Sequence, residues 1–189
     1  MTRVRLADVA CSIARATDLF GDAWTALIMR DVMAGLGRFD DLARDLGISR
    51  KVLAARLSRL VDEGVLERRR YQDRPPREEY VPTRKGKELS AVLLALIDWG
   101  DRWYAGEDGP PALVRHDACG HDTTPVMTCS HCREPLTADD TTVRPGPGAR
   151  VGTGTLLLVD RLSADGPPGD PSGPEGVARS ARDAPSSSA

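Results

Sequence analysis

The chain contains no long hydrophobic run and no recognisable export signal. Its longest uninterrupted apolar segment, residues 91–97, is far shorter than the roughly 20 residues that a membrane-spanning helix needs. Near the N-terminus, Asp8 falls where a signal peptide would need its apolar stretch. We therefore expect a cytoplasmic protein with no membrane partner. Disulfides are rare in that compartment, so the four cysteines are expected to be thiols or metal ligands.

The sequence also lacks the residue groupings of an enzyme. It shows no nucleophile beside a base and no paired carboxylates. Gly35-Leu36-Gly37 lacks the further glycine and the lysine of a nucleotide-binding loop. All three histidines lie between residues 116 and 131, outside the helical part of the chain. These absences predict a protein that is not an enzyme.

Proline, glycine and charge are distributed unevenly and divide the chain. Residues 163–189 consist almost wholly of Ser, Ala, Gly, Pro, Asp and Arg, a composition that predicts a disordered tail. Residues 107–111 read as a linker between a predicted main domain, residues 11–108, and a small Cys/His-rich module, residues 112–150. The net charge is -2, yet residues 44–77 carry ten basic against five acidic side chains. That local excess favours an anionic partner.

Apolar residues recur at helical spacing in the first third of the chain. Gly47 separates two short helices and Ser49 is a good N-cap for the second, so the pair predicts a helix-turn-helix. Two short strands, residues 65–70 and 79–81, are predicted around a loop at residues 71–77. The predicted fold class is mainly α with a small β-wing (α+β): a winged helix-turn-helix, followed by the Cys/His-rich module and the tail.

The second helix of this motif, called here the reading helix, presents a polar face suited to the DNA major groove. Small residues at the centre of that face let the helix approach base edges, while Lys and Arg meet guanine acceptors or phosphates. The basic loop between the strands is expected to lie over the backbone as a wing, and we expect DNA binding to need no cofactor. The predicted DNA-binding residues are Ser49, Arg50, Lys51, Ala54, Ala55, Ser58 and Arg59 on the helix, with Arg74 and Arg77 in the loop.

A further apolar stripe follows Thr83, which is a good N-cap. Large apolar side chains recur every three or four residues along a predicted helix at residues 84–104, and Trp99 and Trp103 are typical interface anchors. We expect a homodimer through this helix, which would set two reading helices about 34–36 Å apart on an inverted-repeat operator. The alternative is that the stripe closes the core of its own domain.

A series of short motifs runs in order through residues 11–103. They are Cys11, Leu19 to Asp31, Arg38 to Leu42, Gly47 to Ser49, Leu53 to Leu60, Glu63 to Arg68, Pro75 to Tyr80 and Thr83 to Gly86. Together they resemble the HxlR-type winged helix-turn-helix transcriptional regulators. The resemblance implies a dimeric DNA-binding regulator, usually without a dedicated ligand-binding domain.

Cys11 carries a separate expectation. In some members of this family a cysteine near the start of the domain senses oxidants or electrophiles, so the resemblance implies a redox role for Cys11. A cysteine beside a helix N-terminus has its thiolate stabilised by the helix dipole. The alternative is that Cys11 is a small core residue, as free cysteines often are.

Part of the Cys/His-rich module has the spacing of a zinc site. Cys129 and Cys132 are separated by two residues, as in a zinc knuckle, where both thiolates reach one ion at about 2.3 Å. Cys119 supplies a third ligand, and His121 or His116 the fourth; the predicted set is Cys119, His121, Cys129 and Cys132. We expect a structural role for the zinc, because the segment has too little apolar content to fold alone. The alternative is a small hairpin with reduced thiols.

Together these features predict a sequence-specific transcriptional regulator that binds double-stranded DNA as a dimer. The alternative, from a different class, is a zinc-dependent interaction adaptor whose winged helix contacts protein. Salt-sensitive DNA binding separates the two. Residues 152–162, which are apolar and poor in charge, have no assigned role under either hypothesis.

Overall fold

A computed structural model describes residues 6–164 of the chain. Residues 165–189, which are most of the predicted tail, lie outside the described residues, while Ser163 and Ala164 belong to a helix. The chain divides into two compact units. Among the described residues, the larger unit comprises residues 22–136, and the smaller comprises residues 6–21 together with residues 137–164. Among the described helices, none is long and apolar enough to cross a membrane.

The larger unit is a winged helix-turn-helix followed by two small hairpins, and the predicted fold class is confirmed. The wing is a two-stranded antiparallel sheet, and a second two-stranded sheet lies in the Cys/His-rich module. In chain order the elements are α1 (Ser12–Phe20), α2 (Thr25–Met33), α3 (Phe39–Leu46), α4 (Arg50–Asp62), β1 (Leu66–Asp73), β2 (Pro76–Pro82), α5 (Arg84–Glu88), α6 (Ser90–Tyr104), β3 (Arg115–His116), β4 (His121–Asp122) and α7 (Leu158–Ala164).

The turn between α3 and α4 forms as the sequence predicts. Gly47 ends α3 at a φ of +60°, a left-handed conformation that glycine adopts without steric cost. The hydroxyl of Ser49 then accepts a hydrogen bond from the N–H of Val52 at 3.4 Å, which confirms Ser49 as the N-cap of α4. The two helices of the motif are therefore separated by a short, locally determined turn.

The core of this unit lies between α2, α3, α4 and the root of the wing. Leucines on α4 recur at spacings of four and three, so one side of the helix is inward and the other is left to solvent. The fully buried large side chains include Ile28, Met29, Leu42, Leu53, Leu57, Leu60, Val65 and Leu66.

The wing strands are longer than the two short strands predicted from the sequence. β1 pairs with β2 from Leu66 opposite Pro82 to Asp73 opposite Pro76. At the root of the wing, the N–H of Tyr80 donates to the carbonyl of Gly37 at 2.7 Å. A Cβ at position 37 would overlap the Tyr80 carbonyl oxygen, so only glycine allows this close approach. The wing is thus fastened to the loop between α2 and α3.

A second backbone junction joins the end of α4 to the start of α5. The Thr83 hydroxyl donates to the carbonyl of Gly64 at 2.7 Å and accepts from the N–H of Gly86 at 3.2 Å, which confirms Thr83 as an N-cap. Lys85 Nζ donates to the Glu63 carbonyl at 2.6 Å. A Cβ at Gly86 would overlap the Val65 carbonyl oxygen. The predicted helix at residues 84–104 is interrupted here, since α5 ends before α6 begins.

The smaller unit is built from the N-terminal residues and the C-terminal apolar segment. A 3₁₀ turn at Leu6–Asp8 precedes α1, and α7 contains the end of the segment that had no assigned role. Val9, Thr155 and Val159 are buried within this unit. The residues after 136 therefore group with α1 rather than with the rest of the Cys/His-rich segment.

Candidate nucleic-acid interface

The outward face of α4 places small and cationic side chains at the surface. Six of the seven residues predicted on the reading helix are exposed, and Arg59 is half-buried. Ala54, Ala55 and Ser58 form a low strip along the middle of the helix, and Lys51 stands one turn before that strip's centre. Such a strip lets a helix axis approach a groove closely while the cation meets an acceptor.

Arg50 is held at the start of α4 by the first helix of the motif. Its Nη1 lies 2.7 Å from Oδ1 of Asp40, and its guanidinium lies 4.7 Å from the centre of the Phe39 ring. Both neighbours belong to the first turn of α3. Nothing in the local sequence indicates these contacts, which position the guanidinium and offset part of its charge.

Asp22 connects α2 to the reading helix. Its carboxylate accepts hydrogen bonds from the backbone N–H groups of Trp24 at 2.9 Å and Thr25 at 3.0 Å, and from the Thr25 hydroxyl. Arg56 of α4 lies 3.4 Å from the same carboxylate. Burial opposes ionisation of Asp22, but the hydrogen bonds and Arg56 outweigh it and lower the pKa of the carboxyl below its usual value. A charged Asp22 therefore helps to fix α4 against α2.

The wing carries arginines of two kinds. Arg69 pairs with Glu79 across the strands at 2.8 Å, and Arg70 lies 3.8 Å from Asp73. Arg74 at the turn and Arg77 on β2 are exposed, and neither has an ion pair within residues 6–164. Arg74 and Arg77, the two wing arginines predicted to bind DNA, are therefore available for phosphates. The neighbouring Arg69 and Arg70 lie beside carboxylates instead.

The apolar stripe of α6 is largely uncovered in this chain. None of its side chains is buried. Residues 92, 96, 99 and 103, which share one helical face, are 46–70% exposed, and Trp99 contacts the Tyr104 ring at 5.2 Å between centroids. A helix this apolar with no buried residue has the character of an interface.

Comparison with known proteins agrees with this geometry. A family model described as HxlR-like helix-turn-helix matches residues 19–108. An uncharacterized HTH-type transcriptional regulator of Mycobacterium tuberculosis is 43% identical over 140 residues, which are 74% of this chain and 89% of the relative. The chain belongs to the HxlR-like helix-turn-helix family. This HxlR-like protein is accordingly a DNA-binding transcriptional regulator.

Two solved structures are similar to the HxlR-like protein over most of its length. The crystal structure of PA1607, a candidate transcription factor, matches with a TM-score of 0.68 and 30% identity over 76% of this chain and all of that one. PA1374 of Pseudomonas aeruginosa, also a candidate transcription factor, matches with a TM-score of 0.53 and 36% identity over 80% of this chain and all of that one. Both matches extend beyond the helix-turn-helix itself.

Cys11 lies in the smaller unit, directly before α1. It is the half-buried N-cap residue of that helix and makes no side-chain capping hydrogen bond. It lines a largely apolar cavity of about 540 Å³, together with Arg15, Arg144, Pro145 and Leu158. The structure thus leaves the thiol at a helix start beside open space, and the redox role of Cys11 stays a prediction.

The structure separates the histidines of the Cys/His-rich module. Nδ1 of His116 lies 3.3 Å from Sγ of Cys119, whereas Nδ1 of His121 lies 2.8 Å from the Cys119 carbonyl oxygen. Backbone N–H groups of Cys132 and His131 donate to Sγ of Cys129 and lower the pKa of its thiol. Over the described residues, no three His, Cys, Asp or Glu side chains are arranged to hold one metal ion. Zinc binding stays a prediction.

Proposed function

We propose that the HxlR-like protein is a sequence-specific regulator that binds an inverted-repeat DNA operator as a homodimer in the cytoplasm. The observation that carries the proposal is the exposed strip of Ala54, Ala55 and Ser58 beside Lys51 on α4. In a helix-turn-helix this is the face that enters the major groove. Arg74 and Arg77 would contact the backbone beside it. DNA binding in this arrangement requires no cofactor.

The homodimer would form through the uncovered face of α6. Val92, Leu96, Trp99 and Trp103 follow one another at spacings of four, three and four, which is the repeat of helices that pair along their length. A second copy of the same helix offers a matching apolar surface. The two reading helices would then face successive major grooves, about 34–36 Å apart.

Selection from a random duplex pool tests this proposal. The purified protein should enrich an inverted repeat whose half-sites are spaced by about one helical turn. Binding to that repeat should weaken steeply as salt rises, because several phosphates are neutralised. If no motif were enriched and binding disappeared at moderate salt, the interaction-adaptor alternative would replace the regulator.

Lys51→Ala tests the orientation of the reading helix. If Lys51 meets a base edge, the variant should lose about 1–3 kcal/mol of specific affinity and relax the preference at one base position. The matched control is Lys87→Ala on α5, another exposed lysine with no ion pair among the described residues, which should bind normally. Equal loss on random DNA would identify a phosphate contact, and unchanged binding would show that another face of α4 enters the groove.

A further inference from the structure

Three of the four cysteines lie in two hairpin turns that are built in the same way. In residues 116–121 the N–H of Gly120 donates to the carbonyl of His116 at 2.8 Å. In residues 129–134 the N–H of Arg133 donates to the carbonyl of Cys129 at 2.9 Å. The fifth position of each turn has the same left-handed backbone, with φ of +72° at Gly120 and +68° at Arg133.

The ends of the two turns also correspond. His116 pairs with His121 in the β3–β4 ladder, which joins the first and sixth positions of that turn. In the second turn the N–H of Cys129 donates to the carbonyl of Glu134 at 2.8 Å, which again joins positions one and six. Arg133 is the one non-glycine residue with positive φ in residues 6–164. Because such a conformation is unfavourable for arginine, the shape of this turn is determined by more than local preference.

Equivalent positions of the two turns hold metal-binding side chains. His116 and Cys129 occupy the first position, and Cys119 and Cys132 occupy the fourth. His116 Nδ1 lies 3.3 Å from Cys119 Sγ, and the repeated backbone geometry places Cys129 and Cys132 at the same two positions of the second turn. Hydrogen bonds to a ligand atom fix its orientation toward a metal. Each turn is therefore a preformed pair of donors.

The segment that holds these turns has no core of its own. Residues 112–136 include no buried side chain, and Leu113, Val126 and Met127 are 64–72% exposed. Because this segment buries no apolar side chain, the hydrophobic effect cannot hold it in one conformation. Small domains of this kind depend on a cross-link or a metal.

We propose that His116, Cys119, Cys129 and Cys132 form a structural Zn²⁺ site. Three thiolates and one imidazole are a donor set that zinc takes in structural sites. The set differs from the one predicted from the sequence, because His116 replaces His121. The reason is geometric: Nδ1 of His116 lies 3.3 Å from Sγ of Cys119, so this imidazole already stands beside a thiol with which it would share the ion. Nδ1 of His121 lies 2.8 Å from the Cys119 carbonyl oxygen, which leaves Nε2 of His121 as the competing donor that the variants below test.

Binding requires the two turns to come together. The described residues contain two half-sites of two donors each and no group of three. Residues 120–128 connect the half-sites, and only His121–Asp122 among them lie in a strand. Nine extended residues span roughly 30 Å, so the connection permits closure around one ion. Closure releases the thiol protons as the thiolates bind.

Metal analysis and Co²⁺ titration of the full chain test the site. The protein purified without chelator should contain one zinc per chain. After chelation, added Co²⁺ should give the d–d spectrum of tetrahedral cobalt, with sulfur-to-cobalt charge transfer that depends on all three cysteines of the turns. Chelation should also speed proteolysis within residues 112–136 and leave cleavage of residues 22–104 unchanged.

Paired variants locate the ligands. His116→Ala should weaken Co²⁺ binding by at least about tenfold, the loss that even disturbing a ligand's surroundings produces. His121→Ala and Cys11→Ser should bind Co²⁺ with the affinity of the wild type. Circular dichroism should show that each variant is folded. A variant lacking Cys119, Cys129 and Cys132 gives the background level of zinc and cobalt binding. If the wild type binds no more of either metal than this variant, the proposed site is wrong. Dependence on His121 instead of His116 would overturn the ligand assignment.

Discussion

At the scale of single residues, the role of each basic side chain depends on whether a carboxylate lies beside it. Arg50, Arg56 and Arg69 each contact an acidic side chain, so part of their charge is offset. Lys51 and Arg77 have no ion pair among residues 6–164. The unpaired side chains lie on the predicted DNA-binding face. The sequence alone shows the local excess of positive charge in residues 44–77, and only the contacts show which cations remain for an anionic partner.

Asp22→Ala should destabilise the fold, because Asp22 caps the start of α2 and pairs with Arg56. We expect a loss of about 1 kcal/mol, the usual cost of removing a helix cap. Since the folded-state pKa of Asp22 is lowered, its contribution is complete above the unfolded pKa of about 3.8 and is lost as pH falls through the folded pKa. Urea unfolding at pH 7 and in acid measures the free energy of unfolding of the wild type and of Asp22→Ala. The difference between these two free energies should be smaller in acid than at pH 7.

Asp62→Ala is the matched control for Asp22→Ala. Asp62 is exposed at the last position of α4, and its removal should change the free energy of unfolding by less than about 0.5 kcal/mol at any pH. Equal destabilisation by both substitutions would contradict the capping role of Asp22.

Cys11→Ser should remove any response of DNA binding to thiol oxidants. The thiol of Cys11 is at a helix start beside a cavity, where a reagent has access. Diamide is expected to change the operator affinity of the wild type and to leave Cys11→Ser unaffected, as followed by fluorescence anisotropy of labelled operator. If diamide leaves the operator affinity of the wild type unchanged, or changes that of Cys11→Ser equally, Cys11 has a packing role only.

At the scale of secondary-structure elements, the wing is expected to add affinity without sequence preference. Arg74→Ala and Arg77→Ala should weaken binding to operator and random DNA alike, because phosphates carry no sequence information. Each should reduce the slope of log K against log salt by about 1. Arg69→Ala is the control, since Glu79 already pairs with Arg69, and its salt slope should equal that of the wild type.

The helix-turn-helix could be predicted from the sequence because local signals determine it. Gly47 and Ser49 act within four residues of their own positions, so their roles can be recognised from the local sequence. The break between α5 and α6 was not predicted. It coincides with the backbone of Gly86 lying against the Val65 carbonyl, a contact 21 positions apart in sequence.

Long-range contacts also explain what the sequence left open at the candidate sites. Arg50 and Asp40 lie ten positions apart on different helices, and nothing in their local sequence shows that they meet. The choice between His116 and His121 depends on which imidazole faces the Cys119 thiol, and spacing alone cannot decide it. The residue types and the helical repeat of apolar residues predict which face of the reading helix is exposed. Which individual side chains pair with one another follows only from the three-dimensional structure.

At the scale of the whole molecule, the uncovered face of α6 predicts the oligomeric state. The native mass should be about twice the 20.4 kDa of one chain by size-exclusion chromatography with light scattering. Leu96→Asp should give a monomer, because Leu96 is 48% exposed in the single chain and would be buried against a second copy. The monomer should bind one half-site weakly and show no preference for an inverted repeat.

Leu157→Asp is the control for the dimer. Leu157 is 78% exposed in the smaller unit, and its substitution should leave the mass unchanged. If the wild type is monomeric at micromolar concentration, or if Leu96→Asp stays dimeric, α6 does not form the dimer interface.

The junction of α4 with α5 has a consequence for the choice of operator. Hydrogen bonds from Thr83 and Lys85 fasten α5 to Gly64 and Glu63, which directly follow the reading helix, and Gly86 lies against the backbone of the next residue, Val65. The reading helix therefore has little freedom to move relative to the segment that leads into α6. Inserting one base pair between half-sites shifts the second by about 3.4 Å along the axis and also rotates it around the duplex. A regulator built on this junction should tolerate base changes in the spacer far better than a change in its length.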